Sequence, residues 1–451
     1  MCGIFGIFNY NIEKGDIFNE LIEGMKLIQH RGKDSYGLSF YNKEKDIIEY
    51  QKYLGPIKEF KKLNDSNKNE INNCIGHIRY STSGNSINKV LTQEIQPLIK
   101  NNISIVHNGN IPNIKEHDTK YILNKIYIKD NSIDESLIKI MKEIPASYCI
   151  IIIHGTNTYI MKDKYGIRPL SYGYKGDTIY VSSETVGLKD CKNITEVKNG
   201  EILKISKNDI ETLYKHKTTF NNFCSFEIIY FMHPNSYYHG LQIKELRKKL
   251  THLLIQKEDI ILYNDKDYIV VGVPNSGIIY GESFAEKLSL KYSQVIEKKT
   301  NERTFISINN NERVKACKKK FTYKKDDIKG KKIIILDDTI VRGNVIKTII
   351  ENIKKYNPLE IHIRIPSPPV IDRCQLGIAI RSKEELLMNN RNLDEVTKIL
   401  GVNSIRFLHL DDINKVIPNC YCEFFGGGIP PDIINYCSIE KEDKKEEKKM
   451  V

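Results

Sequence analysis

Ile333-Ile334-Ile335-Leu336-Asp337-Asp338-Thr339-Ile340-Val341-Arg342-Gly343 decides the architecture of the second half of the chain. An apolar strand ends on two adjacent carboxylates, at the carboxyl edge where open α/β sheets bind ligands. A short loop follows, and then helical spacing from Asn344 to Lys355. Strand, loop and helix in that order aim backbone N–H groups and a helix N-terminus at a phosphate. An Asp-Asp pair by itself usually marks a turn. After a buried strand and before Val-Arg-Gly it faces a ligand instead. Asp337 and Asp338 suit ribose hydroxyls or a Mg²⁺ ion, which takes oxygen ligands and shares phosphates.

Outward from that stretch, the apolar runs Ile269 to Val273, Gln294 to Ile296, Lys332 to Leu336 and Ile361 to Ile365 alternate with helical stretches. Ile243 to Gln256 and Asn344 to Lys355 are two of those helices. The alternation predicts a parallel sheet with crossover helices. Before residue 222 the rhythm differs. Strands are expected at Gly3 to Phe8, Cys74 to Ile78, Ile103 to Val106, Tyr148 to Ile153, Thr158 to Lys162 and Ile179 to Ser182. A helix over Ile17 to Ile28 runs into His30-Arg31-Gly32. Many strands with few helices predict stacked, largely antiparallel sheets. The polar stretch His216 to Asn222 divides the chain into domains 2–222 and 223–438. A tail of Lys and Glu, 439–451, is expected to be solvated and disordered.

The totals bound the rest. A chain of 451 residues holds two ordinary domains, and 40% hydrophobic with 28% charged residues is globular composition. The net charge of +12 comes mostly from Lys spread through a sequence rich in Ile and Asn. Without a basic stripe and interleaved aromatics it points to no nucleic-acid partner, and it suits anionic phosphate substrates. Apolar runs are strand-length, and the first residues lack a leader pattern, so the expectation is a cytoplasmic protein without a membrane partner. The ten scattered cysteines are expected to be reduced thiols.

Cys2 follows the initiator Met1 directly. Removal of Met1 would leave a thiol beside a free α-amine, whose ordinary pKa of roughly 7.7–8.0 suits a general base. Three further stretches follow in order: His30-Arg31-Gly32-Lys33-Asp34, Gly76-His77-Ile78-Arg79-Tyr80-Ser81-Thr82 and His107-Asn108-Gly109-Asn110. Arg79 can hold an α-carboxylate in a bidentate fork, and Asp118 can pair with an α-ammonium. Asn108 and the Gly109 N–H can donate to a tetrahedral oxyanion. Taken singly, Asn108-Gly109 also fits a type I′ turn and Arg79 a surface charge.

Together these stretches, with Tyr165-Gly166-Ile167-Arg168-Pro169-Leu170 and Ser182-Ser183-Glu184-Thr185, resemble the glutaminase domain of the N-terminal-nucleophile amidotransferases. The resemblance implies a four-layer αββα sandwich over about residues 2 to 210. It implies a Cys2 thioester that releases ammonia from glutamine, with Arg79, Asp118, Tyr80 and Arg31 around the substrate. The segment from Asn113 to Asp118 is shorter than that family's. The Asp337-Asp338 stretch in turn resembles the phosphoribosyl pyrophosphate loop of the type I phosphoribosyltransferases. Phe226-Glu227-Ile228-Ile229-Tyr230-Phe231, Pro274-Asn275-Ser276-Gly277, Arg303-Thr304-Phe305-Ile306 and Ser367-Pro368-Pro369 narrow the likeness to the glutamine phosphoribosylpyrophosphate amidotransferases.

That family implies phosphoribosyl pyrophosphate held by Asp337, Asp338, Thr339, Val341, Arg342 and Gly343, with Arg303 in a flap and Lys320 reaching pyrophosphate. It implies Mg²⁺ at Ser276, Asp337 and Asp338, and a homo-oligomer, dimer or tetramer. Asn344-Val345 stands where the family has Thr-Thr, and Asn275 where an acid is common. One branch of the family carries a [4Fe–4S] cluster, which implies Cys224, Cys374, Cys420 and Cys422 as ligands, although Cys420-Tyr421-Cys422 replaces Cys-x-x-Cys. Four reduced thiols are the alternative. Hexosamine synthases and asparagine synthetases share the glutaminase features, but neither uses a phosphoribosyl donor. A non-catalytic nucleotide sensor is a third reading, and the intact Cys2, Arg79, Asn108 and Gly109 weigh against it.

Overall fold

The computed structural model describes residues 2–9, 17–58, 71–80, 93–112, 114, 116–126, 132–206, 209–258, 265–298, 321–377, 380, 382–418, 420, 422–427 and 430–436. Arg303, Lys320, Tyr421 and the 439–451 tail lie outside the described residues. Among those described, no helix is long and apolar enough to cross a membrane.

Two antiparallel sheets are stacked in the first half. One runs, edge to edge, Lys192–Glu196, Ser171–Lys175, Thr178–Ser182, Gly3–Phe8, Ile71–Arg79, Ser35–Asn42 and Ile47–Leu54. The other runs Asp209–Lys215, Glu201–Ser206, Asn157–Lys162, Ser147–His154, Ile103–Asn110 and Leu98–Lys100. Period-two alternation puts successive side chains on opposite faces. Ile151 and Ile153 therefore meet Ile4, Phe8 and Val181 of the facing sheet, all fully buried. Ile150 and Ile152 face outward, under the helices Asp118–Ile126 and Ile133–Glu143. Phe5 and Ile7 likewise pack beneath the helix Ile17–Leu27. The result is a four-layer αββα sandwich.

The second half is a parallel sheet in the order Lys291–Tyr292, Tyr268–Gly272, Lys332–Leu336, Glu360–Ile365 and Ser404–Phe407. Both faces are covered, as parallel sheets require. Val270, Ile334 and Leu336 pack on one side, and Val271, Ile333, Ile335 and Ile363 on the other. The expected strand at Gln294 to Ile296 is not in this sheet. Lys291–Tyr292 takes its place, and Ile296–Lys298 pairs antiparallel with Phe321–Tyr323 instead. The Gln294 side-chain amide explains the break, since it donates to the carbonyls of Gly272 and Ile296 at 3.1 and 2.6 Å.

The residue-222 division falls between the last strand of the sandwich, Asp209–Lys215, and the turn Glu227–Phe231. The two halves share buried packing across this division. Tyr165 and Ile167 of the sandwich belong to the same buried cluster as Phe223, Phe226, Ile228 and Leu246. Ile151→Ala, at the centre of the inter-sheet layer, should cost about 2–5 kcal/mol in urea unfolding. Ile47→Ala, exposed on the edge strand, should change stability by no more than about 0.5 kcal/mol.

Candidate active site

Gly3–Phe8 is a central strand, paired on one side with Ile71–Arg79 and on the other with Thr178–Ser182. Because Gly3 lies opposite Ile78, Cys2 emerges at the sheet end that also carries Arg79. The Cys2 backbone is held from two sides. Its N–H donates to Asn108 Oδ1 at 3.2 Å, and its carbonyl accepts from Arg31 Nε at 2.9 Å. The Cys2 thiol is unpaired and half-buried. Asn108 is only 1% exposed, yet its Nδ2 has no acceptor among the described residues. A buried N–H without a partner is costly, so this group beside Cys2 is free to donate to a ligand oxygen. Asn108-Gly109 is not a turn: it lies in Ile103–Asn110, opposite Cys149 and Tyr148. Position 109 must be Gly, since a Cβ there would lie 2.0 Å from the Ser147 carbonyl oxygen.

Arg79 closes its strand, and its guanidinium pairs with Glu94. Asp118 opens the helix Asp118–Ile126, where its Oδ1 accepts the Thr119 N–H at 2.8 Å. His107 and His117 each approach the Asp118 carboxylate to 3.7 Å. Burial pushes the Asp118 carboxyl up, but His107, His117 and the Thr119 N–H outweigh it and hold it well below the usual carboxylate range. The charges of Arg79 and Asp118 both act on His77 and His117. Burial first, then Arg79 and His107, keep His77 neutral. Tyr80 follows Arg79, half-buried.

Arg31 stands elsewhere than expected. It is 1% exposed, and its guanidinium donates to Glu184 at 2.6 Å and to the two Glu227 oxygens at 3.0 and 2.8 Å. With Nε on the Cys2 carbonyl, these donors serve the protein and not a bound glutamine. Glu184 also accepts from His30 Nε2 at 2.8 Å, from the His233 N–H at 2.7 Å and from Ser236 Oγ at 2.7 Å. Burial raises the Glu184 carboxyl, and His30 and Arg31 bring it well below the usual range. Glu227 lies in a π-helical turn, Glu227–Phe231, a geometry frequent at functional sites. Arg168 reaches the same carboxylate at 3.4 Å and donates to the Leu376 carbonyl at 2.6 Å.

In the second half, Lys332–Leu336 delivers Asp337 and Asp338, 8% and 4% exposed. The Asp338 N–H donates to Asp337 Oδ1 at 3.0 Å, and Thr339 Oγ1 donates to Asp338 Oδ2 at 2.8 Å. Gly343 turns the chain into the helix Asn344–Lys354 with φ +77, a left-handed backbone suited to Gly. Ser276 precedes the helix Gly277–Leu288, and a Cβ on Gly277 would lie 2.4 Å from the Leu336 carbonyl oxygen. Ser276 and the carboxylates thus share one edge of the sheet. The Arg342 side chain differs from expectation: its Nε donates to Glu385 at 2.6 Å, away from a role as an unpaired phosphate binder. The Leu387 N–H donates to the Val341 carbonyl at 2.9 Å, so the 383–391 segment braces this loop.

Cys224 senses Cys374, Cys420 and Cys422 electrostatically, which gathers the four thiols in one region. Burial pushes Cys374 and Cys420 up to about 12 and raises Cys224 and Cys422 as well. Among the described residues, no three or more His, Cys, Asp or Glu are grouped to hold a single metal ion.

With this geometry in hand, comparison with known proteins is direct. A Glutamine amidotransferase domain model matches residues 85–190, and a Phosphoribosyl transferase domain model matches 239–366. Among solved structures, the Bacillus subtilis glutamine phosphoribosylpyrophosphate amidotransferase complexed with ADP and GMP superposes with a TM-score of 0.81. It is 26% identical and aligns over 95% of this chain and 97% of its own. Methanocaldococcus jannaschii amidophosphoribosyltransferase is 29% identical over 92% of this chain and 94% of its own length. The Mus musculus enzyme of the same name is 30% identical over 91% of this chain and 88% of its own. The chain belongs to the amidophosphoribosyltransferase family.

For this amidophosphoribosyltransferase-family chain, the sequence alone had not pointed to Glu184, Glu227 or Arg168 as neighbours of the nucleophile. Only their occurrence inside the quoted motifs could have drawn attention to them. Glu227→Gln should destabilise the fold by about 3–5 kcal/mol in urea, because it leaves buried guanidinium charge without its partner. It should also lower glutamine-dependent turnover more than ammonia-dependent turnover, measured at a temperature where the variant is folded.

Proposed function

We propose that the protein converts glutamine and phosphoribosyl pyrophosphate to 5-phosphoribosylamine, glutamate and pyrophosphate, the first committed step of purine synthesis. The observation that carries this reading is Cys2 seated against the Asn108 Oδ1, with the Asn108 Nδ2 unpaired among the described residues, in a chain whose other half ends a parallel strand on Asp337-Asp338. A glutaminase site without an acceptor site would leave the second half unexplained.

In the mature chain, beginning at Cys2, the α-amine accepts the thiol proton and Sγ attacks the glutamine side-chain carbonyl carbon. The oxyanion accepts hydrogen bonds from Asn108 Nδ2 and the Gly109 N–H. Arg79 takes the substrate's α-carboxylate and Asp118 its α-ammonium, with Tyr80 at the rim. Collapse breaks the C–N bond, and the amine proton goes to the departing ammonia. Water then cleaves the thioester and frees glutamate. Ammonia, which loses its lone pair on protonation in water, passes inside the protein to the ribose anomeric carbon, where pyrophosphate leaves.

At that second site the backbone from Thr339 to Gly343 and the start of the following helix hold the 5′-phosphate. Arg342 holds the loop through Glu385. Asp337, Asp338 and Ser276 offer the oxygen ligands Mg²⁺ prefers, and the ion when bound neutralises the leaving pyrophosphate. The likeness to the type I phosphoribosyltransferases assigns Arg303 to a flap and Lys320 to pyrophosphate. The domains divide at 222/223. A homodimer or homotetramer is part of the same proposal, and the exposed Ile47, Tyr50 and Leu54 on the edge strand offer one surface for it. Cys224, Cys374, Cys420 and Cys422 would hold a structural [4Fe–4S] cluster, with the buried Arg168 offsetting thiolate charge. Iron and sulfide determination after anaerobic purification tests the cluster; metal-free protein with four titratable thiols would refute it.

Purified protein should release pyrophosphate with either glutamine or ammonia, and no release with either donor refutes the reading. Cys2→Ala should keep only the ammonia-driven reaction, and mature protein should sequence from Cys2. Asp337→Asn with Asp338→Asn should abolish pyrophosphate release from both donors, with glutamine hydrolysis continuing.

A further inference from the structure

The Arg79 guanidinium, the group assigned to glutamine's α-carboxylate, is already engaged by a carboxylate of the chain itself. That partner is Glu94, in the short turn before the strand Leu98–Lys100. The Arg79 side chain is 9% exposed and that of Glu94 24%, so the contact is largely shielded from water. The charges of Glu94, Arg79 and Asp118 all act on the half-buried His117, whose Nδ1 lies 3.7 Å from the Asp118 carboxylate. Chemically, the Glu94 side chain is a carboxylate on a short aliphatic stem. It is the same group that an α-amino acid would present to Arg79.

The turn carrying Glu94 is anchored. Gln96 accepts the His107 N–H at 2.6 Å and donates to the His107 carbonyl at 3.3 Å, next to Asn108. Gly37 comes so close to this turn that a Cβ there would lie 2.3 Å from the Gln96 carbonyl oxygen. Residues 95–97 are therefore fixed, and Glu94 reaches Arg79 by its side chain alone. A rotamer change of that side chain breaks its contact with Arg79 without moving the turn.

We propose that Glu94 is an internal competitor for the amino-acid site, its carboxylate occupying Arg79 until a substrate or product α-carboxylate displaces it. The inference rests on the assignment of Arg79 under the proposed function. Apparent affinity for a ligand falls with the fraction of sites that are open. Glu94 thereby sets the affinity for glutamine and for glutamate together, since both present the same α-carboxylate. It leaves the amide chemistry at Cys2 untouched. This makes Glu94 a determinant of KM and not of the rate of thioester formation.

Glutamine hydrolysis by wild-type protein is the first measurement. If wild type hydrolyses no glutamine, the functional assignment fails and Glu94 is moot. Given wild-type activity, Glu94→Gln and Glu94→Ala should lower KM for glutamine by about three- to tenfold at little change in kcat. The inhibition constant of L-glutamate should fall by the same factor in both variants. Glu94→Asp, with charge retained on a shorter stem, should lie between. A KM that is unchanged or raised overturns the proposal, and a raised one assigns Glu94 to the substrate's ammonium. A fall in KM without a parallel fall for glutamate also overturns it. Melting temperature, read alongside, separates these outcomes from misfolding, and a variant that misfolds is replaced by the Asp form for the same comparison.

Discussion

A guanidinium taken out of water stays charged only where carboxylates surround it, and removing a single partner from such a group costs several kcal/mol. Arg31 is in that position, with Glu184 from its own half and Glu227 from the other. The coupling to both carboxylates outweighs burial and raises the Arg31 pKa beyond its ordinary value. Arg168 adds a second cation on Glu227, and two guanidinium groups then face two carboxylates. Such a network contributes little net stability over an apolar core of equal volume. What it fixes is position. The Cys2 carbonyl is tied to Arg31, so the position of Cys2 is defined jointly by both halves of the chain.

The sequence made the layers legible and the network invisible, for the same physical reason. Continuous apolar runs such as Tyr148 to Ile153 declare a buried strand because neighbours along the chain carry the signal. The Arg31 and Glu227 contact spans 196 residues, and no local pattern records it. Ser35–Asn42 went unforeseen although Tyr36, Leu38 and Phe40 alternate along it and share one buried cluster. The small and polar residues between them face the other way: Gly37 lies under the Gln96 carbonyl, and Ser39 Oγ meets Ser104 Oγ at 2.7 Å between the sheets. The helices Asp118–Ile126 and Ile133–Glu143 were likewise missed, their polar faces diluting the apolar stripe.

Residue type and motif alone do not say which neighbour a side chain meets. Asn108 was assigned from its amide; its Oδ1 accepts the Cys2 N–H, and its Nδ2 has no acceptor among the described residues. Arg31 and Arg342 were assigned to ligands by being arginines in the right stretches. Both are consumed by carboxylates, Glu227 and Glu385, that pattern alone does not pair with them. An arginine near a site is as often holding the scaffold as holding the substrate, and only the location of its carboxylate tells the two apart.

The two sites also differ in how much of their recognition a substitution can remove. On the proposed function, the amino-acid site would read a zwitterion with the side chains of Arg79 and Asp118. The proposed phosphate loop would read with the main chain. The Lys347 N–H closes onto the Gly343 carbonyl at 2.9 Å, and the N–H groups before it, at the first helical positions, have no acceptor within the helix. Asn344-Val345 in place of Thr-Thr deletes hydroxyls and leaves those N–H donors where they were. The helix dipole is likewise a property of the backbone and survives the exchange. A loop built this way tolerates divergence that would silence the other site, which is why Asp337-Asp338 to Gly343 reads clearly from a sequence so far from its relatives.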